Sequence, residues 1–193
     1  DLSVLSFHAT KVFNTFEGGA IVCRNAKIKK HIDHLKNFGF VDEVTVAAPG
    51  INGKMSEFNA AFGMLQLQHI DQALARRQQI DALYRERLTG IAGLRCLADA
   101  GEKRPNYAYF PILVDDEYPL SRDALFQKFR DENIYVRRYF YPLISEFPMY
   151  RGLPSAHRDN LPVATRAAQQ ILCLPIYPAL ELEQIDRIVD LLA

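Results

Sequence analysis

A single lysine stands between two apolar runs in the stretch Ser6–Ala20, SFHATKVFNTFEGGA. Because phenylalanines such as Phe7 and Phe13 surround Lys11 in the sequence, we expect its amine to be poorly solvated. A neutral amine in an apolar setting can attack a carbonyl carbon and form a Schiff base. The alternative is an ordinary solvated surface charge, which is what most loop lysines are.

Two polar side chains precede this lysine. Ser6 ends the first apolar run, where its hydroxyl either binds a phosphate oxygen or is an ordinary strand-end serine. His8 lies between Ser6 and Lys11, and a lone histidine beside a phenylalanine is more often a structural hydrogen-bonding group than a catalyst. The sequence thus leaves both alternatives open for each residue.

A second group of polar residues lies in the stretch Gly50–Gly63, GINGKMSEFNAAFG. Asn52 is flanked by glycines and stands just before a long helical pattern, so it is a candidate turn residue or helix cap. The start of a helix is also a natural anion site, and an amide with a neighbouring cation, Lys54, suits a phosphate group there.

The elements that position these residues follow from the spacing of apolar side chains. Runs at 2–6 and 19–23 predict two neighbouring strands of one sheet, with the lysine loop between them. A helix capped by Asn25 follows. From 55 to 88 the chain has no proline and only one glycine, and its apolar stripe predicts one long helix.

Beyond residue 91 short strand and helix patterns alternate, which predicts a separate small α+β domain over 92–193. Strands are expected at 107–114 and 134–141, and helices after a Ser121 cap, at 162–172 and at 181–192. The preceding part, 1–91, carries the two strands, the lysine loop and the long connecting helix.

Composition restricts the class of protein. The 23 Lys and Arg residues equal the 23 Asp and Glu residues, so the chain has no basic excess for nucleic acid or anionic lipid. Three distant cysteines, Cys23, Cys96 and Cys173, lack the spacing of metal ligands. No apolar run approaches the ~20 residues of a membrane helix. We therefore expect a cytoplasmic protein without a metal, whose partners are small molecules or other subunits.

Three motifs in order resemble those of the DegT/StrS family of pyridoxal-phosphate-dependent sugar aminotransferases. The first is SFHATK followed by EGGA, the second is GINGKMSE, and the third is LCLPIYP near the end of the chain. The resemblance implies an α/β protein, a fold type I aminotransferase. It also implies that this chain is similar to the C-terminal half: the last part of the large mixed-sheet domain plus the small α+β domain.

The resemblance also implies roles for individual residues. Lys11 would form the Schiff base with pyridoxal phosphate and later move a proton, and Ser6 would bind the cofactor phosphate. Asn52 would reach the phosphate of the neighbouring subunit's cofactor, which makes the enzyme a homodimer with shared active sites. Lys54 stands where the family more often has arginine, and with His8 and Tyr141 it is a candidate contact of the substrate.

The implied reaction is transamination of a nucleotide-linked keto-6-deoxy sugar, with glutamate as the amino donor. The His-Ala-Thr-Lys form, which ends at Lys11, favours the 4-keto sugar dTDP-4-keto-6-deoxyglucose over a 3-keto sugar, and the product would enter O-antigen or another surface glycan. The alternatives are a sugar dehydratase of the same family, which replaces the lysine by histidine, and a non-catalytic dimerisation module. The family's other cofactor-binding residues are expected upstream, in a segment missing from this chain.

Overall fold

The computed structural model describes residues 1–98, 101 and 105–193. These residues form two compact units, Asp1–Gln72 and Ala73–Ala193, so the division lies inside a long helix. The described elements are β1 (Ser3–Ser6), β2 (Gly19–Val22), α1 (Ala26–Lys36), α2 (Glu57–Leu88), β3 (Leu94–Cys96), β4 (Phe110–Val114), α3 (Arg122–Asp131), α4 (Pro162–Gln170), β5 (Ile171–Leu174) and α5 (Leu182–Asp190).

The first unit contains the antiparallel pair β1–β2, in which Ser3 lies opposite Val22 and Ser6 opposite Gly19. The prediction of two neighbouring strands around the lysine loop is therefore confirmed. A Cβ atom on Gly19 would lie 2.8 Å from the Leu5 carbonyl oxygen, so this register requires a glycine. Ser6 consequently stands at the strand end where the chain enters the loop.

Helix α1 is bounded by a side-chain cap at its start and by residues with positive φ angles after its end. The Asn25 side chain accepts a hydrogen bond from the Ile28 N–H at 2.9 Å, which confirms the predicted cap. At the other end Phe38 and Gly39 have positive φ angles of 60° and 87°. The Gly39 N–H then donates to the His34 carbonyl at 2.8 Å and closes the last turn.

Helix α2 confirms the prediction of one long helix over 55–88, since it runs from Glu57 to Leu88. Its 32 residues span about 48 Å at the rise of an α-helix. The Ser56 hydroxyl accepts the Asn59 N–H at 3.1 Å and caps its first turn. Its last turns bury Tyr84 and Leu88 in the second unit.

The second unit is built on an antiparallel sheet with the order β3–β4–β5. Helix α3 starts at its predicted cap, because the Ser121 hydroxyl accepts the Ala124 N–H at 3.2 Å. Fully buried side chains from the sheet and the helices form one apolar core, which includes Ile80, Tyr84, Phe110, Ile112, Leu125, Phe129, Leu172 and Ile185. The unit thus combines strands and helices around one apolar core.

Three predictions for the second unit were wrong in detail. The first strand occupies only Phe110–Val114, not 107–114. The run 134–141 makes one isolated bridge, between Arg137 and Cys173, and Pro142 after it has no N–H with which to extend the pairing. The helix predicted to reach residue 172 ends at Gln170, since the following four residues pair with β4 as β5.

The segment Pro175–Leu180 follows β5 and lies outside the sheet, so most of its carbonyl groups need donors other than strand pairing. Side chains of α2 supply the donors. Tyr84 donates its hydroxyl hydrogen to the Pro175 carbonyl at 2.9 Å, and Arg77 and Arg76 bind carbonyls further along at 2.8 and 2.7 Å. Burial raises the pKa of the Tyr84 hydroxyl, so it remains a protonated donor.

Replacing Tyr84 by Phe should destabilise the protein, because it leaves the Pro175 carbonyl without its donor. We expect a loss of about 1–3 kcal/mol in the free energy of unfolding, measured by urea denaturation. Tyr177→Phe is the matched control, since Tyr177 is exposed, and its midpoint should equal that of the wild type. Equal midpoints for both variants would contradict the role of this hydrogen bond.

Candidate active site

The lysine loop is closed by backbone hydrogen bonds at its base. The Phe7 N–H donates to the Gly18 carbonyl and the Thr15 N–H donates to the Phe7 carbonyl, both at 2.9 Å. Gly18 is needed there because a Cβ atom would lie 2.5 Å from the Thr15 hydroxyl oxygen. The loop between β1 and β2 therefore has a defined backbone path.

Lys11 lies on the outer turn of this loop and is exposed. Its N–H donates to the His8 carbonyl at 2.9 Å, and its own carbonyl accepts from the Asn14 side chain at 3.1 Å. Its ammonium group has no hydrogen bond or ion pair with any residue that the structure describes. The backbone of Lys11 is thus fixed by two hydrogen bonds, whereas its side-chain ammonium group makes no contact of this kind with the described residues.

The prediction of a poorly solvated Lys11 is wrong for this chain. Phe7 and Phe13 pack edge to face against each other, with ring centroids 4.9 Å apart. Phe16 stacks on Phe62 of α2, with centroids 4.5 Å apart. The aromatic rings of the loop therefore pack against each other or against α2 and not around Lys11, whose side chain remains exposed.

The structure brings Ser6 and His8 together beside the turn that carries Lys11. The Ser6 hydroxyl oxygen accepts the His8 N–H at 3.4 Å. His8 Nδ1 accepts the Thr10 N–H at 3.2 Å and lies 2.9 Å from the Thr10 hydroxyl, while its Nε2 lies 3.6 Å from a Glu17 carboxylate oxygen. The histidine is thus tied into the loop on both sides of its ring.

Asn52 and Lys54 lie in a separate segment of the first unit. Asn52 is exposed and pairs with Asn37 in an isolated bridge, and the cap of α2 is Ser56, not Asn52. The Lys54 ammonium donates to the Asn37 side-chain oxygen at 3.1 Å and lies 4.5 Å from the centre of the Phe38 ring. Among the described residues, the partners of its charge are a neutral oxygen and an aromatic face.

A cavity of about 600 Å³ in the first unit brings parts of both motifs to one place. The Gly18–Gly19 pair lies on one side and Gly53–Met55 on another, while β1, β2 and α1 supply the rest of the wall. Of the predicted site residues in this unit, Lys54 lines the cavity, whereas Lys11, Ser6, His8 and Asn52 do not.

One rim of this cavity carries a charged cluster on α1. The Asp33 carboxylate lies 2.5 Å from the Lys29 ammonium and 2.9 Å from that of Lys36. Hydrogen bonds from these two lysines hold the pKa of Asp33 down at about 2. Together with Lys54, the cluster leaves a net positive rim beside an otherwise apolar wall.

Tyr141, the remaining predicted site residue, belongs to the second unit. The guanidinium groups of Arg122 and Arg138 lie 4.8 and 4.9 Å from its ring centre. Tyr141 and Arg122 line a polar cavity of about 260 Å³ together with Arg158. Arg158 pairs there with Glu146 at 2.8 Å and Arg122 pairs with Asp123 at 2.9 Å, so the charges that line the cavity cancel.

The sequence reasoning did not identify Thr15 or the residues of α2 that contact it. Thr15 is only 1% exposed, and the side chain of Asn59 donates to its carbonyl. Gly63 lets the helix approach, because a Cβ there would lie 2.7 Å from a Thr15 methyl group. No local pattern marks a loop threonine as buried, since the pairing depends on a helix 44 residues further along.

Comparison with known proteins agrees with the three motifs. The model of the DegT/DnrJ/EryC1/StrS aminotransferase family matches residues 1–193. The chain belongs to this family. It is 49% identical over 190 residues to a dTDP-4-amino-4,6-dideoxy-D-glucose transaminase of Shigella dysenteriae, and 54% identical over 177 residues to the Escherichia coli protein of the same name. The alignments cover 98% and 92% of this chain, but 51% and 48% of those relatives.

Solved structures of this family superpose on nearly the whole chain. DesI, in the presence of its TDP-sugar product, has a TM-score of 0.90 and 36% identity. DesV from S. venezuelae, in complex with a ketimine intermediate, has a TM-score of 0.89 and 27% identity. Each comparison covers at least 98% of this chain and 48% or 50% of the other. The predicted fold type I architecture is thus confirmed, and the chain spans about half the length of its relatives.

Two absences hold for the described part of the chain. No helix there is long and apolar enough to cross a membrane. Nor do its His, Cys, Asp and Glu side chains form any group of three that could hold a metal ion. Cys23, Cys96 and Cys173 are free thiols, and burial raises the pKa of Cys173 to about 12, so this thiol is protonated at neutral pH.

The Asp33 cluster can be tested by a carboxyl titration followed by NMR. The folded-state pKa of Asp33 lies near 2 and the unfolded value is 3.8, so its lysine contacts favour the folded state above about pH 3.8 and lose this effect as pH falls toward 2. Replacing both Lys29 and Lys36 by Met should raise the Asp33 pKa toward 3.8. Lys30→Met, on the same helix, should leave the Asp33 pKa unchanged. An Asp33 pKa of 3.8 in the wild-type protein would contradict the proposed contacts with Lys29 and Lys36.

Proposed function

We propose that the protein carrying this chain is a pyridoxal-phosphate-dependent aminotransferase of nucleotide sugars. Its substrate would be dTDP-4-keto-6-deoxyglucose, which receives an amino group at C4. The support is the name shared by the two relatives at 49% and 54% identity, although each is about twice as long as this chain. The observation that carries the proposal is the Lys11 amine, which has no partner among the residues that the structure describes and lies on a loop with a defined backbone path.

The residues of the lysine loop fit the cofactor. An aldehyde needs a primary amine without a competing partner, and Lys11 offers one among the described residues. A phosphate needs donors, and Ser6 has an exposed hydroxyl at the end of β1. When bound, the cofactor supplies an electron sink for the carbon that loses its proton. The Lys11 Nζ atom would move that proton from the α-carbon of the amino donor to the cofactor, and in the second half of the reaction it would move a proton from the cofactor to C4 of the sugar.

The remaining predicted residues would bind the substrate. Lys54 combines a positive charge with a weakly engaged side chain at the cavity rim, which suits a phosphate oxygen of the nucleotide. We assign His8 and Tyr141 to sugar contacts and glutamate as the amino donor, both following the family resemblance. The same resemblance suggests O-antigen or another surface glycan as the destination of the product, and the free thiols fit a cytoplasmic enzyme.

We further propose that two copies of the chain form a homodimer. The first half of α2 exposes large apolar side chains, with Phe58 76%, Met64 71% and Leu67 60% accessible. Met64 and Leu67 are three residues apart and therefore share one face of the helix, and an exposed apolar face favours a cover in water. Asn52 is exposed just before this helix, so a second copy that covers the face could receive Asn52 at its own cofactor site. Each active site would then contain Lys11 of one subunit and Asn52 of the other.

The role of Lys11 can be tested by the absorbance of the natural full-length protein mixed with pyridoxal phosphate. We expect a band at about 410–430 nm, as is typical of this cofactor linked to a lysine. Lys11→Ala should lack the band and the conversion of dTDP-4-keto-6-deoxyglucose to its amino sugar. Lys30→Ala, a matched exposed lysine, should retain both. A colourless wild-type protein would contradict the proposal. Amination of a 3-keto sugar but not of dTDP-4-keto-6-deoxyglucose would contradict the proposed substrate and keep the aminotransferase activity.

Shared active sites can be tested by mixing two inactive variants, Lys11→Ala and Asn52→Ala, under conditions that let subunits exchange. A hybrid dimer would have one site with both mutations and one intact site. Random exchange makes half of the dimers hybrid, so about one quarter of the wild-type activity should return. If Lys11 and Asn52 of the same subunit serve one site, no activity will return.

A further inference from the structure

Thr15 is the most deeply buried polar residue of the first unit, although it lies in a loop between two short exposed strands. It is 1% exposed, whereas Lys11 and its neighbours on the outer turn are accessible to water. A buried hydroxyl is costly unless it is hydrogen-bonded. Here the hydroxyl donates to the Glu17 carbonyl at 2.9 Å, so the side chain is satisfied within the loop.

The backbone of Thr15 ties together the two sides of the loop. Its N–H donates to the Phe7 carbonyl at 2.9 Å, and its carbonyl accepts from the Glu17 N–H at 2.8 Å. The same carbonyl accepts the side-chain amide of Asn59, which lies on the first turn of α2. The loop is therefore fastened to α2 as well as to itself.

Both backbone anchors of Lys11 lie next to the hydrogen bond between Phe7 and Thr15. His8, which binds the Lys11 N–H, follows Phe7, and Asn14, which binds the Lys11 carbonyl, precedes Thr15. A change in the path of the chain at Thr15 would therefore shift both contacts of Lys11. The lysine itself has no other partner among the described residues that could restore its position.

We propose that Thr15 is a positioning residue for the Lys11 amine, and this inference rests on the proposed function. Its hydroxyl holds the base of the loop so that Nζ meets the aldehyde carbon of pyridoxal phosphate. Attack on an aldehyde depends steeply on the placement of the amine. Thr15 touches neither cofactor nor substrate in this scheme and acts through the backbone of residues 7–18.

Two cofactor forms separate positioning of the amine from general packing. Pyridoxal phosphate has the aldehyde that bonds to lysine, whereas pyridoxamine phosphate has an amine in its place and cannot form that bond. Thr15→Val keeps the branched shape and removes the hydroxyl, while Thr15→Ser keeps the hydroxyl and removes the methyl group. Affinities of the natural full-length protein and its variants for both forms would be measured by quenching of tyrosine fluorescence.

We expect Thr15→Val to bind pyridoxal phosphate about ten-fold more weakly, the effect of one lost buried hydrogen bond. Its affinity for pyridoxamine phosphate should equal that of the wild type. Thr15→Ser should bind both forms like the wild type. If Thr15→Val does not fold, Asn59→Ala removes the external anchor of Thr15 and should produce the same selective loss.

Two results would overturn the inference while leaving the proposed function intact. One is unchanged affinity of Thr15→Val for both cofactor forms. The other is an equal loss for both forms, which would indicate a general packing defect around Gly18 and Gly63 and not a displaced amine. A wild-type protein that forms no covalent bond with pyridoxal phosphate would instead refute the proposed function, and this inference with it.

Discussion

A backbone carbonyl in an irregular segment must find a donor, and in this chain helix α2 provides donors in both units. In the first unit Asn59 binds the carbonyl of Thr15 and fixes the lysine loop. In the second unit Arg77 and Tyr84 bind carbonyls of the proline-containing segment after β5. The need of backbone carbonyls for donors thus links two of the three sequence motifs to α2. One is the lysine loop, and the other is the proline-containing segment after β5.

The sequence predicted those elements whose signals are local. Helix α2 follows from a long apolar stripe without proline, and the caps Asn25 and Ser121 satisfy the first N–H groups of the helices that follow them. The pair β1–β2 was also predicted correctly. Strands β3 and β5 were not, because each is three or four residues long and exists through pairing with β4.

The residues of the candidate site stay predictions from motif resemblance, and their environment does not follow from the local sequence. Motif resemblance identified Lys11 from the sequence, but the apolar neighbours that suggested a buried amine pack against one another and against α2. Nothing local indicated that Thr15, and not Lys11, is the buried polar residue of the loop. Burial is decided by contacts between distant segments, so a residue's immediate neighbours in sequence describe it poorly.

The central claim is that the 7–18 loop presents Lys11 as the amine that holds pyridoxal phosphate. The most direct measurement is borohydride reduction of the natural full-length protein after addition of the cofactor, followed by proteolysis and mass spectrometry. The account predicts one modified peptide, with the added mass on Lys11. Modification of Lys54 or of another lysine instead, or no modification at all, would contradict it.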